Sequence, residues 1–142
     1  MFGKVVWATD GSEAAAQAFA AVKEFADSGS SVVVAHCQEM TMPGKGGGSF
    51  PVHADEDDLL QKIESDAREL GNGVRVRMAK SMVGGAAHAI AEIAQEENAD
   101  LIVAATRGHT PLGGLLMGSF TQRLLHVAPC PVLVVPADHS GA

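Results

Sequence analysis

The chain has 142 residues, of which 46% are hydrophobic and 19% charged, a balance that excludes intrinsic disorder, collagen and coiled coil. This length predicts one domain, residues 1–142, built around a single packed core. Acidic residues outnumber basic residues by 17 to 10 and aromatic residues make up 4%, which argues against a nucleic-acid-binding surface and against attraction to an anionic membrane.

The first predicted elements are a strand, a helix and a second strand. Residues 5–8 form a short apolar run typical of a buried strand, and the turn and cap residues 9–12 follow it. From 13 to 27 apolar residues recur every three or four positions, which predicts a helix. Residues 32–37 are apolar without alternation, as expected of a strand covered on both faces of a sheet.

The middle of the chain predicts a loop, a helix and a third strand. Residues 38–54 include a run of glycines that makes ordering costly, so we expect a flexible surface loop there. Residues 55–70 begin acidic, keep leucines on one side and stop before a glycine, which predicts a helix. In residues 74–80 apolar and basic residues alternate, which indicates a strand with one exposed face at or near a sheet edge.

The last part of the chain continues the alternation of helices and strands. The patterns predict a helix over 86–97, a strand over 100–105, a glycine-rich loop, a helix over 119–127, a strand over 132–135 and a tail over 137–142. Five strands separated by helices require parallel pairing through right-handed crossovers. The predicted fold is therefore a three-layer α/β/α sandwich, whose ligands bind beyond the carboxyl ends of the strands, where strand order reverses.

Two predicted loops reach that crevice. One is 9–12, and the other is 106–119, where Gly118 and Ser119 open a helix whose first N–H groups point into the loop. Such a helix end holds phosphate oxygens without a basic surface, and Arg107 and the Ser119 hydroxyl add hydrogen-bond donors. The alternative is that the glycines only allow a tight connection, and their spacing does not decide between the two.

Other candidate residues suit structural roles as well as functional ones. Asp10 suits a helix N-cap, although its place at the crevice favours ligand contact. Cys37 is predicted to be a small core residue that also lines a pocket. His36 is predicted to be a buried structural histidine, since no nucleophile is paired with it in the sequence. The histidines and cysteines lack metal-ligand spacing, so we expect no metal site and assign no catalytic residue.

Compartment is predicted from the start of the chain and from its cysteines. The chain opens directly into the first strand without a leader, and its two cysteines have neither disulfide nor metal spacing. We therefore expect a reduced, cytoplasmic protein. The longest apolar runs are far shorter than the ~20 residues of a membrane-spanning helix, so no membrane segment is expected.

The second loop carries a resemblance to a known family. Ala105-Thr106-Arg107-Gly108, nine further residues and Gly118-Ser119 resemble the nucleotide motif of the universal stress protein family: glycine, two residues, glycine, nine residues, glycine and Ser or Thr. Residues 9–12, 34–36, 121–126 and 128–135 resemble the family's first loop, second strand, closing helix and closing strand. The resemblance covers nearly the whole chain except 43–49. It departs from the motif at Ala105, which stands at the first glycine.

The resemblance implies a Rossmann-like fold with a five-stranded parallel sheet in the order 3-2-1-4-5. It also implies a cytoplasmic homodimer whose last strands pair through Val132, Leu133, Val134 and Val135. The implied ligand is ATP, with Mg²⁺, and the implied function is a nucleotide-binding regulatory protein of the stress response. It is not expected to be an enzyme, although weak ATP hydrolysis stays open. The alternative is a dimeric interaction module of the same family that binds no nucleotide.

The resemblance also implies where the nucleotide binds. The acidic residue of the family's first loop meets adenine or ribose, the residue after the strand-two histidine lines the adenine pocket, and the glycine loop holds the phosphates. By position, the resemblance implies contacts from Asp10, Cys37, Ala105, Gly108, Gly118 and Ser119. The predicted nucleotide-binding set also includes Ala8, Thr9, Arg107 and Phe120. If the first glycine position needs a positive φ, Ala105 is strained by about 1 kcal/mol or more; if it needs only a small side chain, alanine is harmless.

Overall fold

The computed structural model describes residues 2–9, 13–41, 50–51, 56–106 and 119–136. The helices within these ranges are α1 (Glu13–Ala16), α2 (Phe19–Asp27), α3 (Glu56–Leu70), α4 (Ala86–Glu96) and α5 (Ser119–Val127). The strands are β1 (Lys4–Ala8), β2 (Ser31–Thr41), β3 (Phe50–Pro51), β4 (Arg75–Met82), β5 (Leu101–Ala105) and β6 (Val132–Val135).

The longer strands form one parallel sheet. β1 pairs with β2 on one side and with β5 on the other, while β4 pairs with the far side of β2 and β6 with β5. The order across the sheet is therefore β4-β2-β1-β5-β6, which is the predicted order 3-2-1-4-5 counted over the five predicted strands. The predicted three-layer α/β fold is confirmed.

Alternating side chains along the strands supply two separate cores. On one face, Val5 and Trp7 of β1 pack in a cluster completed by α2 and α3, with Val22 and Ile63 fully buried. On the other face, the next residues along the same strand pack with α4 and α5. Because both faces of the central strands are covered, their sequences are continuously apolar, as the two-sided strand patterns predict.

Two parts of the chain differ from the sequence-based prediction. The helix predicted over 13–27 is divided into α1 and α2 by a turn at residues 17–18, which an uninterrupted apolar periodicity does not reveal. β2 continues to Thr41 and β3 pairs antiparallel with its end, so the loop predicted over 38–54 is wrong at 38–41 and 50–51. The reason is pairing with β4 as far as Met82, a tertiary effect that overrides the polar local sequence. Residues 42–49 and 52–55 lie outside the described ranges.

Ion pairs close the amino-terminal end of the sheet. The carboxylate of Glu97, which follows α4, accepts hydrogen bonds from Lys4, Arg75 and Arg77, and Arg77 also reaches Glu96 at 2.7 Å. The end of α4 therefore covers part of the basic face of β4, which the alternating pattern predicted to be exposed, and the Arg75 side chain on this face is 57% exposed. Hydrogen bonds from Arg75 and then Arg77 lower the pKa of Glu97 to about 2, against the opposing effect of burial. These contacts hold α4 with its N-terminus toward the carboxyl end of the strands.

Candidate functional site

The crevice predicted from topology lies between β1 and β5. The chain leaves β1 toward the face covered by α2, whose Val22 packs with Trp7, whereas β5 is followed along the chain by α5, whose Leu124 packs on the opposite face. Connections that leave neighbouring strands in opposite directions open a crevice at their carboxyl ends. Ala8 and Thr9 end β1 and Ala105 ends β5, so three predicted site residues lie at this crevice.

A gap in strand pairing extends the crevice along β2. Met40 pairs with Met82 of β4 and with Pro51 of β3, so β3 must lie on the edge of β2 that β1 also uses. The Thr9 N–H donates to the Ala35 carbonyl oxygen, 3.0 Å away, just beyond the last register pair of β1 with β2, Ala8 with Ala35. Along the described chain, no strand pairs with this edge between Ala35 and Met40. Cys37, predicted to line the adenine pocket, lies in the gap.

A buried histidine fixes the corner of the crevice. His36 is 2% exposed, and its Nδ1 lies 2.9 Å from the Thr9 carbonyl oxygen, so the ring N–H donates to that oxygen. This is the buried structural histidine that the sequence predicts. The contact holds the end of β1 against β2 on the side next to Cys37.

Cys37 has a polar neighbour that sequence reasoning missed. Its Sγ lies 3.3 Å from the Ser81 hydroxyl oxygen, on the face of the sheet that α4 and α5 cover. Ser81 pairs in register with Glu39 and therefore shares a face with Cys37, which only the strand register reveals. Gly85 leaves room for this pair, because a Cβ there would lie 3.1 Å from the Ser81 Cβ. The crevice beside Cys37 is thus lined by small, partly polar groups.

The helix proposed to receive phosphate begins where predicted. Ser119 is the first residue of α5 and is exposed, while Phe120 is half-buried against the core beneath α4 and α5. Thr121, buried and absent from the predicted site, donates its hydroxyl hydrogen to the Ala105 carbonyl oxygen at 3.2 Å. This hydrogen bond joins the start of α5 to the end of β5.

The backbone of Ala105 is unstrained. It is the last residue of β5 and pairs with Val135, and Asn98, at φ 55°, is the non-glycine residue with positive φ in the described part of the chain. Alanine at the first glycine position of the motif therefore carries no left-handed penalty. The strain that would have disfavoured nucleotide binding at this position is absent.

Four predicted site residues, Asp10, Arg107, Gly108 and Gly118, lie outside the described ranges. Among the residues that are described, no three histidine, cysteine, aspartate or glutamate side chains come together as metal ligands do. Within the same ranges, none of the helices is long and apolar enough to span a membrane.

The strand order and the crevice between β1 and β5 define a Rossmann-like α/β protein with a crevice at the carboxyl edge of its sheet. The model of the universal stress protein family matches residues 1–136, and the chain belongs to this family.

Two relatives match almost the whole chain. A universal stress protein of Thermus aquaticus, named for its place in the QAH/OAS sulfhydrylase 3′ region, is 38% identical over 95% of this chain and 99% of its own. Universal stress protein MJ0531 of Methanocaldococcus jannaschii is 35% identical over 95% of this chain and 82% of its own. Both are similar along their full domains rather than in one motif.

Solved structures share the fold. The structure of protein MJ0577, also from Methanocaldococcus jannaschii, has a TM-score of 0.69 and 25% identity, and covers 98% of this chain and 99% of its own. A universal stress protein solved in complex with cAMP has a TM-score of 0.68 and 23% identity, and covers 96% of this chain and 98% of its own. These likenesses support the fold assignment.

Proposed function

We propose that this universal stress protein is a regulatory protein of the stress response that binds ATP, with Mg²⁺, in the crevice between β1 and β5. The observation that carries the proposal is the placement of Ser119, at the start of α5, and Cys37, in the pairing gap of β2, at the same edge of the sheet. A ligand with a phosphate end and a base end fits two such regions. An adenine nucleotide is the ligand of one protein with this fold, the cAMP complex.

At the phosphate end, the N-terminus of α5 supplies the attraction. Its first N–H groups have no partner within the helix, and the helix dipole adds roughly half a positive charge there. This local field matters because the chain as a whole carries a formal charge of −7 and repels anions. Ser119 adds a hydroxyl donor beside these N–H groups.

At the base end, the lining side chains are small, which suits a flat ring. Ala8 and Cys37 line it from β1 and β2, and Ser81 supplies a hydroxyl beside the Cys37 thiol. Ala105, whose backbone is unstrained, gives β5 a small side chain and a regular backbone between the base end and the phosphate end of the site. When bound, Mg²⁺ would neutralise phosphate charge.

We propose binding without turnover. His36 is buried, and its Nδ1 is held by the Thr9 carbonyl oxygen. General-base catalysis needs a group within hydrogen-bond reach of the attacking water. Sustained release of phosphate from MgATP by the pure protein would contradict this part of the proposal.

We also propose a cytoplasmic homodimer that pairs through β6, residues Val132, Leu133, Val134 and Val135. β6 is the outer strand next to β5 in the described sheet, and Leu133 is 38% exposed on it. An exposed apolar edge strand is stabilised when a second strand pairs with it, and the same strand of a second protomer can do so. Leu133→Asp should halve the mass in sedimentation, whereas Met78→Asp, at the opposite edge strand, should not. An unchanged dimer in Leu133→Asp would contradict this interface.

Nucleotide content and thermal unfolding test the binding proposal. Nucleotide released from the denatured pure protein is identified, and Tm is measured with MgATP, cAMP and Mg²⁺ alone. At a hundredfold excess over Kd, binding adds about 2.7 kcal/mol to stability, which raises Tm by several degrees. Empty protein whose Tm ignores both nucleotides would contradict the proposal and favour the interaction module without nucleotide.

A further inference from the structure

Two side chains from distant elements hold one glycine in the turn between β4 and α4. The Gly84 N–H donates to Glu39 Oε2 at 2.7 Å, and the Gly84 carbonyl oxygen accepts a hydrogen bond from Arg123 Nη1. We call these three residues, Glu39, Gly84 and Arg123, the Gly84 bridge. Through the two peptide groups that flank the Gly84 Cα, the bridge connects the end of β2 with α5.

The turn that carries Gly84 is itself well anchored. The Val83 N–H donates to the Met40 carbonyl oxygen at 3.2 Å, and the Gly85 N–H donates to the Met82 carbonyl oxygen at 2.9 Å. Gly84 has a φ of +93°, where side-chain-bearing residues are strained. A Cβ at this position would also lie 3.5 Å from Arg123 Nη1. The backbone at Gly84 is therefore anchored, and other elements can be positioned against it.

The bridge joins the two ends of the crevice. Glu39 lies two residues beyond Cys37 on β2, and Arg123 lies about one helical turn beyond Ser119 on α5. Thr121 already ties α5 to the end of β5. Arg123 connects α5 to β2 through Gly84 and Glu39, so contacts from both sides of the crevice set the position of α5.

We propose that Arg123 and Glu39 are positioning residues that set the distance between the base end and the phosphate end of the site. The proposal rests on the nucleotide-binding function proposed above. A device that sets this distance affects only ligands that span both ends, because preorganisation saves the cost of aligning the two subsites. Adenosine and inorganic tripolyphosphate each fill one end and are insensitive to the distance.

The test compares these three ligands in variants of the bridge. Arg123→Ala is expected to raise the Kd for ATP about tenfold, while the Kd values for adenosine and for tripolyphosphate each change less than about twofold. Glu39→Gln keeps an oxygen acceptor for the Gly84 N–H. It is therefore expected to raise the Kd for ATP by less than Arg123→Ala does. Arg68→Ala removes the same charge from an exposed site in the last turn of α3 and is the matched control.

A charge effect gives a different result. If Arg123 merely attracts phosphate, Arg123→Lys restores binding fully and Arg123→Ala weakens tripolyphosphate as much as ATP, and this outcome overturns the positioning role. Hydrogen exchange of the Gly84 amide in ligand-free protein measures the bridge directly. Exchange is expected to accelerate in Glu39→Ala, because the Glu39 carboxylate is the acceptor of the Gly84 N–H, and unchanged exchange would overturn the bridge.

The two proposals fail in distinguishable ways. Wild-type protein that binds none of the three ligands contradicts the proposed function, and the positioning role with it. Wild-type protein that binds ATP while Arg123→Ala binds it equally well contradicts the positioning role alone. The emission of Trp7, the one tryptophan of the chain, reports whether each variant keeps its folded core.

Discussion

The hydroxyl of Thr121 donates to the carbonyl oxygen of Ala105, 3.2 Å away, and so joins the first turn of α5 to the last residue of β5. Thr121 is 1% exposed, so the carbonyl oxygen and the hydroxyl satisfy each other away from bulk water. The hydrogen bond fixes the end of β5 and the first turn of α5 relative to each other.

Removing this hydroxyl should lower stability and ligand affinity together. Thr121→Val keeps the shape of the side chain but leaves a polar group without its partner, at a cost of about 1 to 3 kcal/mol. Urea unfolding measures the loss, and ATP titration should show weaker binding because α5 is no longer tied to β5. Thr121→Ser keeps the hydroxyl and is the control. Equal behaviour of the two variants would show that the hydrogen bond does not matter.

Restoring the glycine of the family motif should not help. Ala105→Gly is expected to destabilise the protein by about 0.5 to 1 kcal/mol, because glycine in a strand loses more conformational freedom on folding. ATP affinity should stay within about twofold, since the backbone at Ala105 needs no positive φ. Thermal unfolding and titration of the same samples provide both measurements.

Asn98→Gly is the control for Ala105→Gly, because a glycine at residue 98 should not destabilise the protein. Asn98 has φ 55° just after α4, so Asn98→Gly should be neutral or stabilising by a few tenths of a kcal/mol. A large gain in ATP affinity for Ala105→Gly would contradict the strand geometry described for Ala105.

A charge at the start of α5 should separate stability from binding. Ser119→Asp places a carboxylate at the first helical position, where the dipole stabilises it by about 0.3 to 1 kcal/mol. The same carboxylate repels phosphate, so the Kd for ATP should rise at least about tenfold while adenosine binding stays unchanged. Gln61→Glu adds a charge on α3, at the opposite face, and should leave ATP binding as it is. Intact ATP binding by Ser119→Asp would place the phosphates elsewhere.

The Glu97 ion pairs should make the free energy of unfolding depend on pH in the acidic range. Because the folded state lowers the pKa of Glu97 from 4.5 to about 2, the stabilisation is present above pH 4.5 and is lost as the pH falls toward 2. Glu97→Gln should therefore lower the free energy of unfolding at pH 7 by about 1 to 2 kcal/mol, and the difference from wild type should shrink below pH 4. Urea unfolding at several pH values measures this.

Glu96 serves as the comparison for Glu97. Its side chain is 60% exposed and pairs with Arg77 alone among the described side chains, so Glu96→Gln should have a much smaller effect at every pH. Equal effects of the two substitutions would mean that the convergence of Lys4, Arg75 and Arg77 on Glu97 adds nothing.

Elements with strong local signals were predictable from the sequence. α5 spans Ser119–Val127 and β6 spans Val132–Val135, as predicted, because a serine-led start and the prolines between them mark both boundaries. The extension of β2 and the pairing of β3 were not predictable. They depend on partner strands far away in the chain, and the local polar and glycine-rich residues indicate a loop.

The candidate site was predictable in its strand ends but not in its supporting contacts. Cys37 and Ser119 follow from chain order and the family motif, whereas Ser81 and Thr121 reach the site through strand register and helix packing. Glu39 and Arg123 meet at Gly84 although they lie far apart in the sequence. Contacts of this kind are set by the tertiary fold, and single-sequence patterns do not encode them.

The ion-pair cluster and the crevice lie at opposite ends of the same parallel strands. One end carries the ion pairs of Glu97, and the other carries the small side chains of Ala8, Cys37 and Ser81 beside the Gly84 bridge. Substitutions that tune resistance to heat, acid or salt can therefore accumulate at the first end without touching the ligand. This separation leaves the protein free to adapt its durability and its binding preferences independently.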